Sequence, residues 1–199
     1  MPDAKTASTI KNIQNKHIYL YPWETVVAVF WNKYPNPFQP HVIRVDTIAR
    51  RINVEEQVYQ SIRLLSLRYN LPSWAKVFCN SSIINAFALE KSTCSLKDKK
   101  LTLKSQNITL SNILFVNETC QYTSEDSYRN PITSYTQNTS FKIFGLGYLS
   151  STFERFLCMT FKTKSEVGRK VILDKIKFYE DQKSTFNSHH ANETGQCAK

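Results

Sequence analysis

The residues in this sequence that invite a chemical reading are cations set among apolar side chains. Arg63 alternates with Tyr59, Leu65 and Leu67, so in a strand it shares their face. A charge left unpaired there is costly if the face is buried. A partner carboxylate or a strand end reaching solvent would account for it, and so would an anionic ligand. Farther along, a helical apolar stripe stops between Phe161 and Val167, where Lys162 and Lys164 fill the gap and Gly168 follows. Lysines that interrupt a stripe either face something anionic or mark a solvated turn or a kink.

Motifs for covalent or metal chemistry are missing. There is no HExxH, no GxSxG and no P-loop, and Gly145-Leu146-Gly147 lacks the rest of a dinucleotide fingerprint. His17, His41, His189 and His190 have no metal-ligand spacing. Cys79, Cys94, Cys120, Cys158 and Cys197 are odd in number, widely spaced and without a CxxC. No cofactor, no metal and no enzymatic activity is expected.

The elements that must position these cations follow from periodicity. His17 to Leu20 alternates as a short strand. Trp23, Val26, Val27, Phe30 and Tyr34 then recur at helical spacing, with Pro22 at the first turn and Pro35 closing the segment. From His41 the period changes to two. His41–Ile52 and Gln57–Arg68 predict an antiparallel hairpin, followed by strands at Ile83–Lys91, Lys100–Thr109, Ile113–Tyr122 and Thr133–Phe144. From Leu149 the helical period returns and predicts one long helix to about Asp181. Strand, helix, a run of antiparallel strands and a final helix make an α+β domain, in which a curved sheet grips the C-terminal helix. Residues 1–15 are expected to be a polar extension, 16–181 the domain, and 182–199 a flexible tail.

A net charge of +10 points to anionic partners, of which nucleic acid and acidic lipid surfaces are the two large classes. The longest uninterrupted apolar run, Val26 to Trp31, is far short of the roughly 20 residues of a spanning helix. The first 16 residues lack the apolar centre of a signal peptide and, without arginine, make a poor mitochondrial transit peptide.

Lys33-Tyr34-Pro35-Asn36-Pro37 after a helix, then Arg63-Leu64-Leu65, then Leu71-Pro72-Ser73-Trp74 and a basic C-terminal helix resemble, in order and spacing, the PRELI domain of the PRELI, Ups and slowmo proteins. The likeness runs from about Lys16 to Glu180. It implies a seven-stranded antiparallel sheet with a short N-terminal helix, a loop or short helix over a cavity mouth, and a long C-terminal helix, together enclosing a lipid cavity. It also implies residence in the mitochondrial intermembrane space without a cleaved presequence. The implied partner is a small helical twin Cys-x9-Cys protein, and the implied cargo is phosphatidic acid or phosphatidylserine, moved between outer and inner membranes.

Carried onto this sequence, the resemblance places head-group recognition at Lys33 and Arg63, with Lys162 and Lys164 on the lid side. Arginine suits a phosphate because its fork donates two parallel hydrogen bonds. The covering loop becomes Leu71 to Phe78, in which Leu71, Pro72, Trp74, Lys76 and Phe78 would meet the membrane surface and its acidic head groups. Lys33, Lys104–Thr109 and Gly147–Ser151 lean toward the slowmo branch and phosphatidylserine. Leu71–Trp74 and Asp46–Ile48 lean toward the PRELI/Ups branch and phosphatidic acid. A basic nucleic-acid-binding protein and a family member that binds a partner or a membrane without transferring lipid are the competing readings.

Overall fold

The computed structural model describes residues 9–70, 83–126, 130–144 and 150–196. Its elements run β1 (Thr9–Tyr19), α1 (Trp23–Trp31), β2 (Val42–Asn53), β3 (Val58–Asn70), β4 (Ile83–Ser95), β5 (Lys100–Asn107), β6 (Leu114–Asp126), β7 (Pro131–Ile143) and α2 (Ser150–Gln196). The seven strands form one curved antiparallel sheet in the order β1-β7-β6-β5-β4-β3-β2. Strands β2 to β7 are a simple meander, while β1 crosses to pair with β7 from Thr9↔Ile143 to Tyr19↔Thr133.

The predicted fold class is the observed one, and the differences lie at element ends. The first strand begins at Thr9 rather than His17, and β4 continues past Lys91 to Ser95. Both extensions were hidden for one reason. Polar residues take inward positions there (Asn15 in β1, Ser92 in β4), so the alternation of apolar and polar residues that announces a strand is broken. The backbone of α2 is helical beyond Asp181, to Gln196.

Two apolar clusters sit on the inner face. In the first, Trp23, Val26, Val29 and Phe30 of α1 pack with Tyr19, Leu101, Tyr122, Tyr135 and, from α2, Ile172 and Ile176. Helical spacing brings the α1 residues to one side despite their β-branching, and the Trp23 indole donates to the Tyr122 carbonyl at 3.1 Å. Each large side chain buried here contributes about 1.5–3 kcal/mol. In the second cluster, Phe141 and Ile143 of β7 pack with Leu157, Phe153 and Phe161 of α2. The residues of α2 between Phe161 and Val171 cross the inner face between the two clusters, which is where its apolar stripe is interrupted.

Candidate functional site

Strand register aligns the inward side chains into cross-strand rows. One row runs Thr47, Arg63, Glu90, Ser105, Glu118, Thr139. The next runs Ser61, Ser92, Leu103, Cys120, Gln137, Asn15. Apart from Leu103 and Cys120, which belong to the first apolar cluster, they form a polar belt across the sheet.

Arg63 is 7% exposed and Glu90, directly opposite it on β4, is 8% exposed. The Arg63 Nε donates to Glu90 Oε1 at 2.9 Å, and Nη2 donates to the same oxygen. The guanidinium also lies over two rings of α1, 5.2 Å from the Phe30 centroid and 4.9 Å from that of Trp31. A planar, weakly hydrated cation tolerates such aromatic faces. Beside the pair, the Ser61 and Ser92 hydroxyls share a hydrogen bond of 2.7 Å. The isolated charge in the sequence of β3 therefore has a partner carboxylate.

At the far end of the belt, Glu118 accepts from Gln137 Nε2 at 2.7 Å and Thr139 Oγ1 at 3.2 Å, and from the Cys120 thiol at 3.6 Å. Gln137 is itself oriented, since its Oε1 accepts from Ser165 of α2 at 2.7 Å and from Asn15 of β1 at 3.1 Å. Burial pushes the Cys120 thiol well above its ordinary range, so it is not a thiolate at neutral pH.

A second set of cations closes the space above the sheet. Lys33, two residues beyond α1, places Nζ 4.7 Å from the Phe30 centroid and 4.8 Å from that of Tyr34. Lys164 of α2 sits 3.8 Å over the ring of Tyr69, and His41 stacks against the same ring at 5.6 Å. Burial brings the Lys164 ammonium down to about 8, with Glu118 pulling the other way. Burial also brings His41 down to about 4, helped by the charges of Lys164 and Lys33, so its imidazole is neutral at pH 7. Lys33, Lys164, Glu118, Ser105, Leu65 and Leu67 line this inner space and are only partly buried.

Of the site residues expected from the sequence, Lys33 lies within electrostatic reach of Arg63, and Lys33 and Lys164 both lie within reach of His41. Lys162 does not join them: it is exposed, because positions two apart on a helix do not share a face. Leu71, Pro72, Trp74, Lys76 and Phe78 lie outside the described residues. Sequence reasoning missed His41, Tyr69, Glu90, Glu118 and Gln137. Glu90 and Glu118 carried a usable signal, since each falls at an inward position of its strand. Among the described residues no group of His, Cys, Asp and Glu could hold a metal ion, and no helix is long and apolar enough to cross a membrane. A separate hollow of about 380 Å³ lies on the outer face, lined by uncharged groups such as Asn12, Asn117, Asn138 and Ser140.

A model of the PRELI-like family matches residues 24–183, most of the chain. The chain belongs to the PRELI-like family. Among curated relatives it is 31% identical over 136 residues to "Protein UPS2, mitochondrial" of Saccharomyces cerevisiae, covering 68% of this chain and 59% of the yeast protein. It is 29% identical over 163 residues to the slowmo homolog of Dictyostelium discoideum, covering 81% of this chain and 69% of that protein. It is 30% identical over 186 residues to the UPS-like protein C36.10 of Schizosaccharomyces pombe, covering 92% and 99%. The fold also resembles that of the ZhuI aromatase/cyclase of Streptomyces sp. R1128, with a TM-score of 0.57 over 85% of this chain and 94% of that one. At 7% identity this likeness concerns the fold alone. The PRELI-like match starts at α1 and includes the Lys33–Pro37 turn, β3 with Arg63, and the cation-bearing part of α2.

Proposed function

We propose that this protein is a lipid carrier that shuttles an acidic glycerophospholipid, phosphatidic acid or phosphatidylserine, between mitochondrial outer and inner membranes, without catalysing a reaction. The observation that carries this reading is the cationic belt. Arg63 on β3, Lys33 in the turn after α1 and Lys164 on α2 face the space between the inner face of the curved sheet and the long helix. Cations held there are out of reach of a nucleic-acid backbone but suited to a head group drawn inside.

The physical requirement is severe. A two-chain lipid leaving a bilayer exposes about 30 methylenes, at about 0.8 kcal/mol each over 20 kcal/mol. A carrier must cover the chains and neutralise the head group together. The half-buried Leu65 and Leu67, on the same face as Arg63, provide apolar wall next to the cations. The mitochondrial name of the yeast relative supports that organelle. Residence in the intermembrane space and a twin Cys-x9-Cys partner protein belong to the same reading.

The test is transfer of labelled phosphatidic acid, phosphatidylserine and phosphatidylcholine between liposomes, using protein co-expressed with a twin Cys-x9-Cys partner. Selective movement of an acidic lipid is the expected result. One observation favours a second reading, a family member that binds membranes or partners without transfer: Arg63 is already neutralised by Glu90. Failure of the folded, partner-bound protein to move any lipid would favour it.

A further inference from the structure

The outer face of the sheet, turned away from the packed side chains of α1 and α2, carries a charge pattern that packing does not explain. Arg63 and Glu90 point inward, so the residues next to them along their strands point outward. On the β2 to β5 half of that face stand Arg44, Arg51, Arg68, Lys91 and Lys104, all exposed. The one carboxylate among these outward strand positions is Asp46, which Arg44 engages at 2.7 Å. Arg51, Arg68, Lys91 and Lys104 have no carboxylate within ion-pair distance among the described residues. Register sets Lys91 of β4 directly opposite Lys104 of β5, and like charges so placed destabilise a sheet. The other half of the face differs, since β1, β7 and β6 present mainly amides and hydroxyls there, such as Gln14, Asn117, Gln121 and Asn138.

A surface built only for solubility would mix the two signs, whereas a single-sign field on one half of a face attracts an anion. The neighbouring side chains indicate which kind. Protein interfaces are depleted in lysine and anchored by aromatic residues, and single-stranded nucleic acid is held on aromatic platforms. Phe87 is the one aromatic ring on this half of the outer face among the described residues, and it stands at the border. Near it are Ile83, on the same strand, and Ile108, whose backbone N–H donates to the Phe87 carbonyl at 2.8 Å. All three are half-exposed apolar groups. Long, flexible cations with a few apolar side chains at their margin suit a charged bilayer. The cationic tips meet lipid phosphates while the apolar groups reach the boundary of the acyl chains.

We infer that the outer face of β2 to β5 is an electrostatic docking surface for an anionic lipid bilayer, with the facing pair Lys91 and Lys104 at its centre. The inference does not depend on the lipid-carrier reading, because these side chains lie on the opposite side of the sheet from Arg63. Docked in this way, the chain is held at the surface by charge whatever the inner face contains, and salt weakens the hold.

The experiment is co-sedimentation of the full chain, with its co-expressed partner, on phosphatidylcholine vesicles containing about 30% phosphatidylglycerol at about 0.1 M salt. Lys91→Gln/Lys104→Gln should lower partitioning about thirtyfold, since each basic residue near such a surface contributes about fivefold. Circular dichroism should show this variant at least as stable as wild type, because the facing charges are gone. Lys91→Arg/Lys104→Arg keeps the charge and should bind as wild type does. Lys16→Gln/Lys142→Gln removes the same net charge from the other half of the face, more than a Debye length of about 8 Å from Lys91, and should lower partitioning less than about threefold. Equal losses from the two Gln pairs would make net charge the cause and overturn the inference. Failure of wild type to bind the anionic vesicles overturns it as well. Vesicle binding unchanged by Lys91→Gln/Lys104→Gln, with or without loss of the co-expressed partner, also overturns it, and loss of the partner would assign the face to a protein. Tighter binding of wild type to duplex DNA than to the vesicles at equal salt would assign the face to nucleic acid instead.

Discussion

Removing either member of the Arg63–Glu90 pair should unsettle the whole domain, because both charges lie inside it. Their side chains are 8% and 10% exposed, and the guanidinium rests on the rings of Phe30 and Trp31 rather than on water. Glu90→Gln leaves a buried arginine without its counter-charge, and Arg63→Met leaves a buried carboxylate. Either change should cost about 3–5 kcal/mol. At about 2–4 °C per kcal/mol for a chain of this size, the melting temperature should fall by roughly 6–20 °C. The double variant Arg63→Met/Glu90→Leu removes both charges and refills the space, so it should recover most of the loss. The cycle would then give a coupling of at least about 2 kcal/mol. Urea unfolding followed by circular dichroism measures all four corners, and liposome transfer by the stable double variant separates roles. Retained stability with lost transfer makes Arg63 a head-group contact as well as a structural charge. A Glu90→Gln variant that loses less than about 1 kcal/mol would refute the burial argument itself.

Other outcomes follow from the same geometry. His41, brought down to about 4 by burial and then by Lys164 and Lys33, binds a proton less readily folded than unfolded. Stability should therefore be full above the ordinary histidine value of about 6.5 and fall as pH drops toward 4, by on the order of 1–2 kcal/mol after allowing for partial exposure; a His41→Gln variant should lose that limb in urea titrations across pH. Lys164, at about 8, should lose its charge at mildly alkaline pH, so that binding of acidic lipid weakens between pH 7 and 9. Lys164→Arg stays charged and should flatten that profile in a vesicle-extraction assay. Gly168 in α2 has room for a methyl group, since a Cβ there would meet only the Gln39 amide at 3.7 Å. Gly168→Ala should raise stability by up to about 1 kcal/mol, and a lowered melting temperature would show that the helix shifts to contact the turn.

Much of the molecule is legible along the chain, for identifiable reasons. The period-two stretches from His41 to Phe144 announce the meander, since alternate residues must face a core or solvent. The spacing of Phe153, Leu157 and Phe161, then Val171, Ile172 and Ile176, announces the long helix. Both anomalies that stood out, the arginine among apolar neighbours in β3 and the broken stripe of α2, proved to lie on the same belt. The first half of β1 and the end of β4 were not legible, because inward Asn15 and Ser92 join that belt and break the apolar alternation.

What sequence could not supply was the company each charge keeps. Arg63 and Glu90 are 27 positions apart, and their pairing depends on the register of the β3–β4 hairpin. Glu118 meets Gln137 through the β6–β7 register, and Gln137 meets Asn15 only because β1 crosses to the far side of the meander. Lys162 and Lys164 look equivalent along the chain, yet the rotation of α2 buries one beside Tyr69 and exposes the other. Periodicity records which face a residue occupies, and so the sequence by itself determined the elements, the family and the presence of inward cations. Strand order, register and helix rotation place charges distant in sequence within reach of one another, and so the tertiary structure alone decided that Arg63 is neutralised by Glu90 and that Glu118 is held by Gln137 and Thr139.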